Sequence, residues 1–239
     1  MIYRITPRIF EQFPDFCRGV VVASNIDNSS PANSTLQQLL DQRIGEIATD
    51  ASISDEHPKI QAWYAVYKTF SIARTKKIKP SIAALVQWIK SGRRIPFISP
   101  LVCISNLISL TYLVPSGLVD AEKVTGDLVL AFAQGTEHFS PIGSDETSFP
   151  EQDEIIYYDT GSQNVMCRAW NSRGGKATAI QPRTHKAVID VDGLLSAITR
   201  NELEIATHKM ASLVTEHCGA TANVYFLDKM NHEIRFSLD

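Results

Sequence analysis

"SPLVCISNLISLTYLVPSGLVD", residues 99–120, is where the chain changes its pattern. Ser99 is a cap-type residue, and Pro100 suits the first position of a helix because its missing N–H has no intrahelical partner there. The run that follows is apolar nearly all round, which predicts a buried helix rather than one with a solvent face. From Pro115 onward, short β-branched and aromatic runs alternate with glycine turns, so strands replace helices.

Upstream, the spacing is mostly helical. "STLQQLLDQRIGEIATD" (34–50) puts Leu36, Leu39, Leu40, Ile44 and Ile47 on one face, with Ser34 as its cap. The next segment has cap-type Ser54 and Asp55, Pro58 in the first turn, and Ile60, Trp63, Tyr64, Tyr67 and Phe70 along one face, an aromatic stripe that reads as core packing. "PSIAALVQWIKSG" (80–92) repeats the grammar, with Ser81 ahead of Ile82, Leu85, Val86 and Ile89, and Gly92 as a stop. Before these helices, "RGVVVASNI" (18–26) reads as a strand that ends in a polar loop.

Downstream, "GDLVLAFAQG" (126–135), "DEIIYYDTG" (153–161), "NVMCRAW" (164–170) and "KAVIDVDG" (186–193) predict mostly antiparallel strands. A last helix within 194–219 stops at Gly219, and "NVYFLD" and "EIRFSL" flank a turn at 229–231, which predicts a terminal hairpin. Helices first, strands second, and a closing helix and hairpin make an α+β protein. Without an internal repeat or a low-complexity linker, residues 1–239 read as one domain.

A net charge of −3 argues against a protein that coats nucleic acid nonspecifically, since that mode needs many phosphate contacts. The apolar passage at 95–114 is broken by two prolines and several polar residues, so it is not read as a membrane span. The first residues lack the apolar core of a signal peptide. Cysteines at 17, 103, 167 and 218 form no close pair, which fits a reducing cytoplasm and suggests neither a zinc ribbon nor a disulfide framework. No Walker or dinucleotide loop is present, and the six histidines are scattered, so neither a cofactor nor a metal is expected.

Several residues carry chemistry with more than one reading. Asn106 lies within the buried-helix run, where its amide must meet a backbone group or face a cavity. Cys103 and Cys167 are nucleophiles only if the fold brings a base to them; otherwise they are small hydrophobes. "ARTKKIK" (73–79), with Lys76 and Lys77, and the later Lys90, Arg93 and Arg94 suit either RNA phosphates or helix C-terminal ends.

"HPKIQAWYAVYKTF", "PSIAALV", "IP" followed by "LVCISNLISL", "PSGLVD", "GTEHFSPIG" and "CRAWNSR" occur in this order over roughly residues 10–190. The set resembles the free-standing relatives of the B3/B4 tRNA-binding domain of the phenylalanyl-tRNA synthetase beta subunit. The resemblance implies a three-layer α+β fold with mostly antiparallel sheets, a β-sandwich and packed helices. It also implies a tRNA or aminoacyl-tRNA partner rather than DNA or a membrane, and no cofactor. The activity implied is trans-editing, the hydrolysis of the ester of a mischarged tRNA; the alternative is a noncatalytic module that binds tRNA or an aromatic amino acid.

Carried over by position, the resemblance makes Ser105 and Asn106 the adjacent hydroxyl and amide of the synthetase site. In "PSGLVD", Pro115 and Asp120 match, while Gly117 stands in the place of a histidine and offers its backbone amide. A glutamate expected near "CRAWNSRGG" has no counterpart there, which weakens the case for tyrosine-specific editing. Arg168, Trp170, Asn171 and Arg173 then either line the amino-acid cavity or hold a turn around a core tryptophan. Glu137, in "GTEHF", either anchors a ligand amine or braces the turn at Gly135.

Overall fold

The computed structural model describes residues 1–29, 34–70 and 78–238. The helices are α1 (Pro7–Gln12), α2 (Ser34–Thr49), α3 (Pro58–Tyr67), α4 (Ser81–Lys90), α5 (Pro100–Tyr112) and α6 (Arg200–Cys218). The strands are β1 (Ile2–Ile5), β2 (Phe16–Ser24), β3 (Ser116–Asp120), β4 (Leu128–Phe132), β5 (Ile155–Asp159), β6 (Val165–Arg168), β7 (Arg173–Gly174), β8 (Ala187–Leu194), β9 (Thr221–Leu227) and β10 (Glu233–Arg235). The fold is α+β, as the change of pattern at Pro115 predicts.

Two sheets form, one of order β10-β1-β4-β5-β6-β7 and one of order β3-β8-β2-β9. Every strand pair is antiparallel except β1 with β4. β2 and β8 are buried on both faces, which is why they read as nearly continuous apolar runs. One face of β2 meets α6, so closely that a Cβ on Gly19 would stand 2.0 Å from the Thr207 hydroxyl. The other face turns Arg18 toward Tyr3 of the larger sheet. Helices, four-stranded sheet and six-stranded sheet therefore make three layers.

The cap residues differ from the expectation. The cap of α3 is His57, whose Nδ1 accepts from the Lys59 amide at 3.3 Å, because Pro58 takes the first helical position and leaves Ser54 and Asp55 in the preceding turn. Ser81 is the first residue inside α4 rather than its cap, and its buried hydroxyl has no partner among the described residues. Ser99 caps α5 in backbone position only; Asn28 Oδ1 accepts from the Leu101 amide at 3.0 Å in place of its hydroxyl. The side chain of Ser34 lies outside the described residues.

The terminal hairpin does not form. β9 pairs with β2, and β10 pairs with β1, so the turn at 228–231 hands the chain from one sheet to the other. The N-terminal strand β1, not anticipated from the sequence, presents an edge whose backbone groups need partners, and β10 supplies them.

Candidate functional site

α5, β3, β8 and the 165–175 segment enclose a cavity of about 340 Å³, within the usual range for a small-molecule site. α5 contributes Val102, Ser105 and Asn106 to its wall, and β3 contributes Ser116, Gly117 and Leu118. The Ser105 and Ser116 hydroxyls lie 2.8 Å apart and tie the two elements together. Asn106 is half-buried, unlike its fully buried neighbours, and its amide makes no hydrogen bond among the described residues. It faces the cavity, one of the two alternatives that the sequence left open.

The wall next to β3 is charged. Asp190 and Asp192 are two residues apart on β8, so their side chains share a face, and both line the cavity. Arg18 answers them from the neighbouring strand. Its Nε donates to Asp192 Oδ1 at 2.5 Å and its Nη2 to Asp192 Oδ2 at 3.0 Å, while Nη1 stands 3.5 Å from Asp190 Oδ2. Tyr3 accepts from Arg18 and donates to Asp190 Oδ1 at 2.9 Å.

One guanidinium thus serves two carboxylates, and Asp192 takes its bidentate fork. Burial pushes the Asp190 carboxyl up to about 6, the Arg18 charge opposes that rise, and the Asp192 charge adds to it. Tyr157, 3% exposed and stacked on Tyr3, brings to this wall a hydroxyl that has no well-formed hydrogen bond.

The 165–175 segment is split between core and cavity. Ala169 and Trp170 adopt left-handed φ values of 46° and 64°, a conformation that costs non-glycine residues about 1–3 kcal/mol each. Hydrogen bonds hold it: the Ala169 amide donates to Glu154 Oε1 at 3.0 Å, and the Trp170 amide donates to the Ile155 carbonyl at 2.7 Å. Trp170 is thereby driven edge-on against Phe13, Phe16 and Trp63, with one side on the cavity and its buried Nε1 without a partner among the described residues. Asn171 turns to the cavity, where its Nδ2 donates to Asp192 Oδ2 at 3.2 Å and the Tyr67 hydroxyl lies 2.9 Å from its Oδ1.

Three expected ligand residues lie elsewhere. Arg168 makes a buried bidentate pair with Glu154, Nε to Oε1 at 2.9 Å and Nη2 to Oε2 at 2.6 Å, and does not line the cavity. Its neighbour Glu154 needed a counter-charge, and the fold supplies it there. Glu137 accepts from the amides of Gln134, Gly135 and Thr136, so it braces the turn. Arg173 is exposed in β7, outside the cavity wall. Asp120 accepts from the Thr184 hydroxyl at 2.8 Å and caps a 3-10 turn at 121–123.

Arg93 and Arg94 are exposed beyond the end of α4, and Lys76 and Lys77 lie outside the described residues. Burial pushes the thiols of Cys103 and Cys167 up to about 12, which leaves neither as a nucleophile at neutral pH. Among the described residues, no group of three or more His, Cys, Asp and Glu side chains is placed to hold a metal ion, and no helix is long and apolar enough to cross a membrane. The sequence carried a sign of the acidic wall that its reading passed over: two aspartates inside a run, "AVIDVDG", whose other residues spell a buried strand.

The sequence pattern that defines the B3/4 domain matches residues 64–222. Among solved structures, the chain is similar to an N-terminal fragment of the phenylalanyl-tRNA synthetase beta-subunit from Pyrococcus horikoshii, with 15% identity and a TM-score of 0.46 over 92% of this chain and 49% of that one. The chain thus spans about half the length of that fragment. No curated protein matches it.

Proposed function

The chain belongs to the B3/4 domain family, and on that premise we propose that it is a tRNA-linked protein whose cavity receives the aminoacyl end of a charged tRNA and hydrolyses the ester of a mischarged one. The observation that carries the proposal is the meeting, on one cavity, of the unbonded amide of Asn106 with the carboxylate of Asp190. When Asp190 is ionised, the Arg18 cluster holds one negative charge more than positive. That excess suits the α-ammonium of an aminoacyl group. Val102, Leu118, Met166 and Ile180 line an apolar part of the cavity that suits its side chain.

An aminoacyl ester is already activated. Its hydrolysis needs a positioned water and donors for the oxygen that becomes negative as the carbonyl carbon is attacked. Asn106 Nδ2 and the Ser105 hydroxyl are the donors on this wall; the Gly117 amide, expected from the sequence as a third, is spent in the ladder on the Asp190 carbonyl, because 117 and 190 form a hydrogen-bonded pair of the β3–β8 register. Water adds to the carbonyl carbon, the ribose oxygen leaves with a proton, and the free amino acid departs. The cavity offers no histidine and no activated thiol, so positioning rather than covalent catalysis carries the step.

The same absence favours a second reading, a noncatalytic module that binds the aminoacyl end. Incubation with a panel of correctly and wrongly charged tRNAs, following loss of the ester, separates the two. Selective release that Asn106→Ala abolishes in a folded protein supports the hydrolase; binding without release supports the module. Neither binding nor release anywhere in the panel would reject both.

A further inference from the structure

Of the three tryptophans, Trp63 and Trp170 are buried in the core, while Trp88 is 44% exposed. Its exposure is not looseness. Trp88 Nε1 donates to the Arg94 carbonyl at 3.0 Å, and the Arg93 guanidinium sits 4.6 Å from the indole centroid. Arg93 and Arg94 are exposed, and neither has a carboxylate partner among the described residues. Lys79 reaches the Gln87 side chain and Lys90 the Asp50 carbonyl, so the cations placed beside the indole are Arg93 and Arg94.

The placement of this patch ties it to the cavity. Ser81 lines the cavity at the start of α4, and Trp88 lies seven residues further along, two turns up the same helical stripe. At the usual rise, that is about 10 Å along the axis. After the helix the chain returns to the cavity wall at Ile98, which is 64% exposed. An indole and two guanidinium groups that have no carboxylate partner among the described residues therefore lie along a path that begins at the cavity.

We infer that this path is the landing for the single-stranded 3′ end of an RNA, with Trp88 stacking a base and Arg93 and Arg94 meeting the phosphates. The inference rests on the reading of the cavity as an aminoacyl site, because the terminal nucleotide must then lie at its entrance. Stacked nucleotides advance about 3.4 Å each, so the indole falls about three nucleotides upstream of that end. Stacking on an aromatic face tolerates any base, and its loss costs about tenfold or more in affinity. The two guanidinium groups favour RNA over a protein occupant of the exposed indole.

The test titrates the full chain with an uncharged RNA hairpin carrying a four-nucleotide 3′ overhang, and with the same hairpin made blunt, read by anisotropy. The overhang is expected to tighten binding about tenfold. Trp88→Ala removes that gain, Trp88→Phe keeps most of it, and Arg93→Ala lowers the salt dependence. Equal binding of the two hairpins, or a Trp88→Ala protein that binds the overhang as well as the parent does, overturns the inference. Thermal melting of each variant guards against misfolding, which the exposure of Trp88 makes a small risk. Because the RNA carries no amino acid, the outcome is separable from that of the cavity reading. Overhang binding through Trp88 without recognition of any aminoacyl group rejects the cavity reading alone, and deacylation that ignores Trp88 rejects the landing alone.

Discussion

Gly117 lies directly opposite Asp190 in the ladder between β3 and β8, and a Cβ added to it would stand 3.8 Å from Asp190 Oδ2. The missing side chain leaves the carboxylate in the cavity wall uncovered. At this point of the wall the polar group is therefore the buried carboxylate of Asp190 on β8, beside the Ser116 hydroxyl of β3.

Asp190→Asn is expected to leave the protein folded, since Asn retains an acceptor for Tyr3, and to weaken binding of amino-acid amides at neutral pH about tenfold or more. Burial raises this carboxyl to about 6, so amine binding in the parent should fall as the pH drops through that value and the excess charge is lost. Stability runs the other way. The contribution of Asp190 is fully present below the ordinary carboxylate range and is lost as pH rises through about 6. Calorimetric titration and chemical denaturation from pH 4 to 7 measure both slopes; a substituted protein that keeps either slope contradicts the assignment to Asp190.

Asn106→Ala removes a half-buried amide that bonds to nothing else in the described residues, so stability should change by no more than about 0.5 kcal/mol. Ester hydrolysis should fall by about 10²–10³, the usual loss for one oxyanion donor. Single-turnover release from a charged tRNA checks the rate. Full activity in the variant would remove Asn106 from the chemistry.

Arg168→Ala strands the Glu154 carboxylate in the core and should destabilise the fold by about 3–5 kcal/mol. Arg168→Lys should recover only part of this, because one ammonium cannot fill a bidentate geometry. Urea unfolding of the two variants tests the pair. A marginal loss with abolished ligand binding would return Arg168 to the list of ligand residues.

Asp159 gathers donors from the Thr125 and Gly126 amides at 3.0 and 2.8 Å and from the Ser162 hydroxyl at 2.7 Å. Burial raises its carboxyl, but these hydrogen bonds outweigh it and hold it down at about 2. Its contribution is therefore present above the ordinary carboxylate range and lost as pH falls through about 2. Asp159→Asn should cost about 1.5–3 kcal/mol at neutral pH. Gly126→Ala belongs to the same turn: its Cβ would come 2.4 Å from the Gly161 amide, and the overpacking should cost about 1–3 kcal/mol. Thermal melts at pH 3 and pH 7 would show whether the network behaves so.

By itself the sequence determined the local elements. The apolar spacing of α2, α3, α4 and α6, the proline at the head of α5 and the β-branched runs of β2, β4, β5, β6 and β8 are short-range patterns, and each reports which residues of its element are buried. It also placed Ser105, Asn106 and Gly117 on one stretch. What it did not contain was the partner of each buried charge. "CRAWNSR" reads equally as ligand groups or as a turn until Glu154 is seen to take Arg168 and the aromatic core to take Trp170. Arg18 and Asp192 stand 174 residues apart, and no local period connects them. β10 left β9 for β1 because a strand edge chooses its partner through space. Periodicity fixes the orientation of a side chain along its own element, whereas the pairing of charges and edges is settled only when the sheets close, and the acidic wall of the cavity is made by that closure.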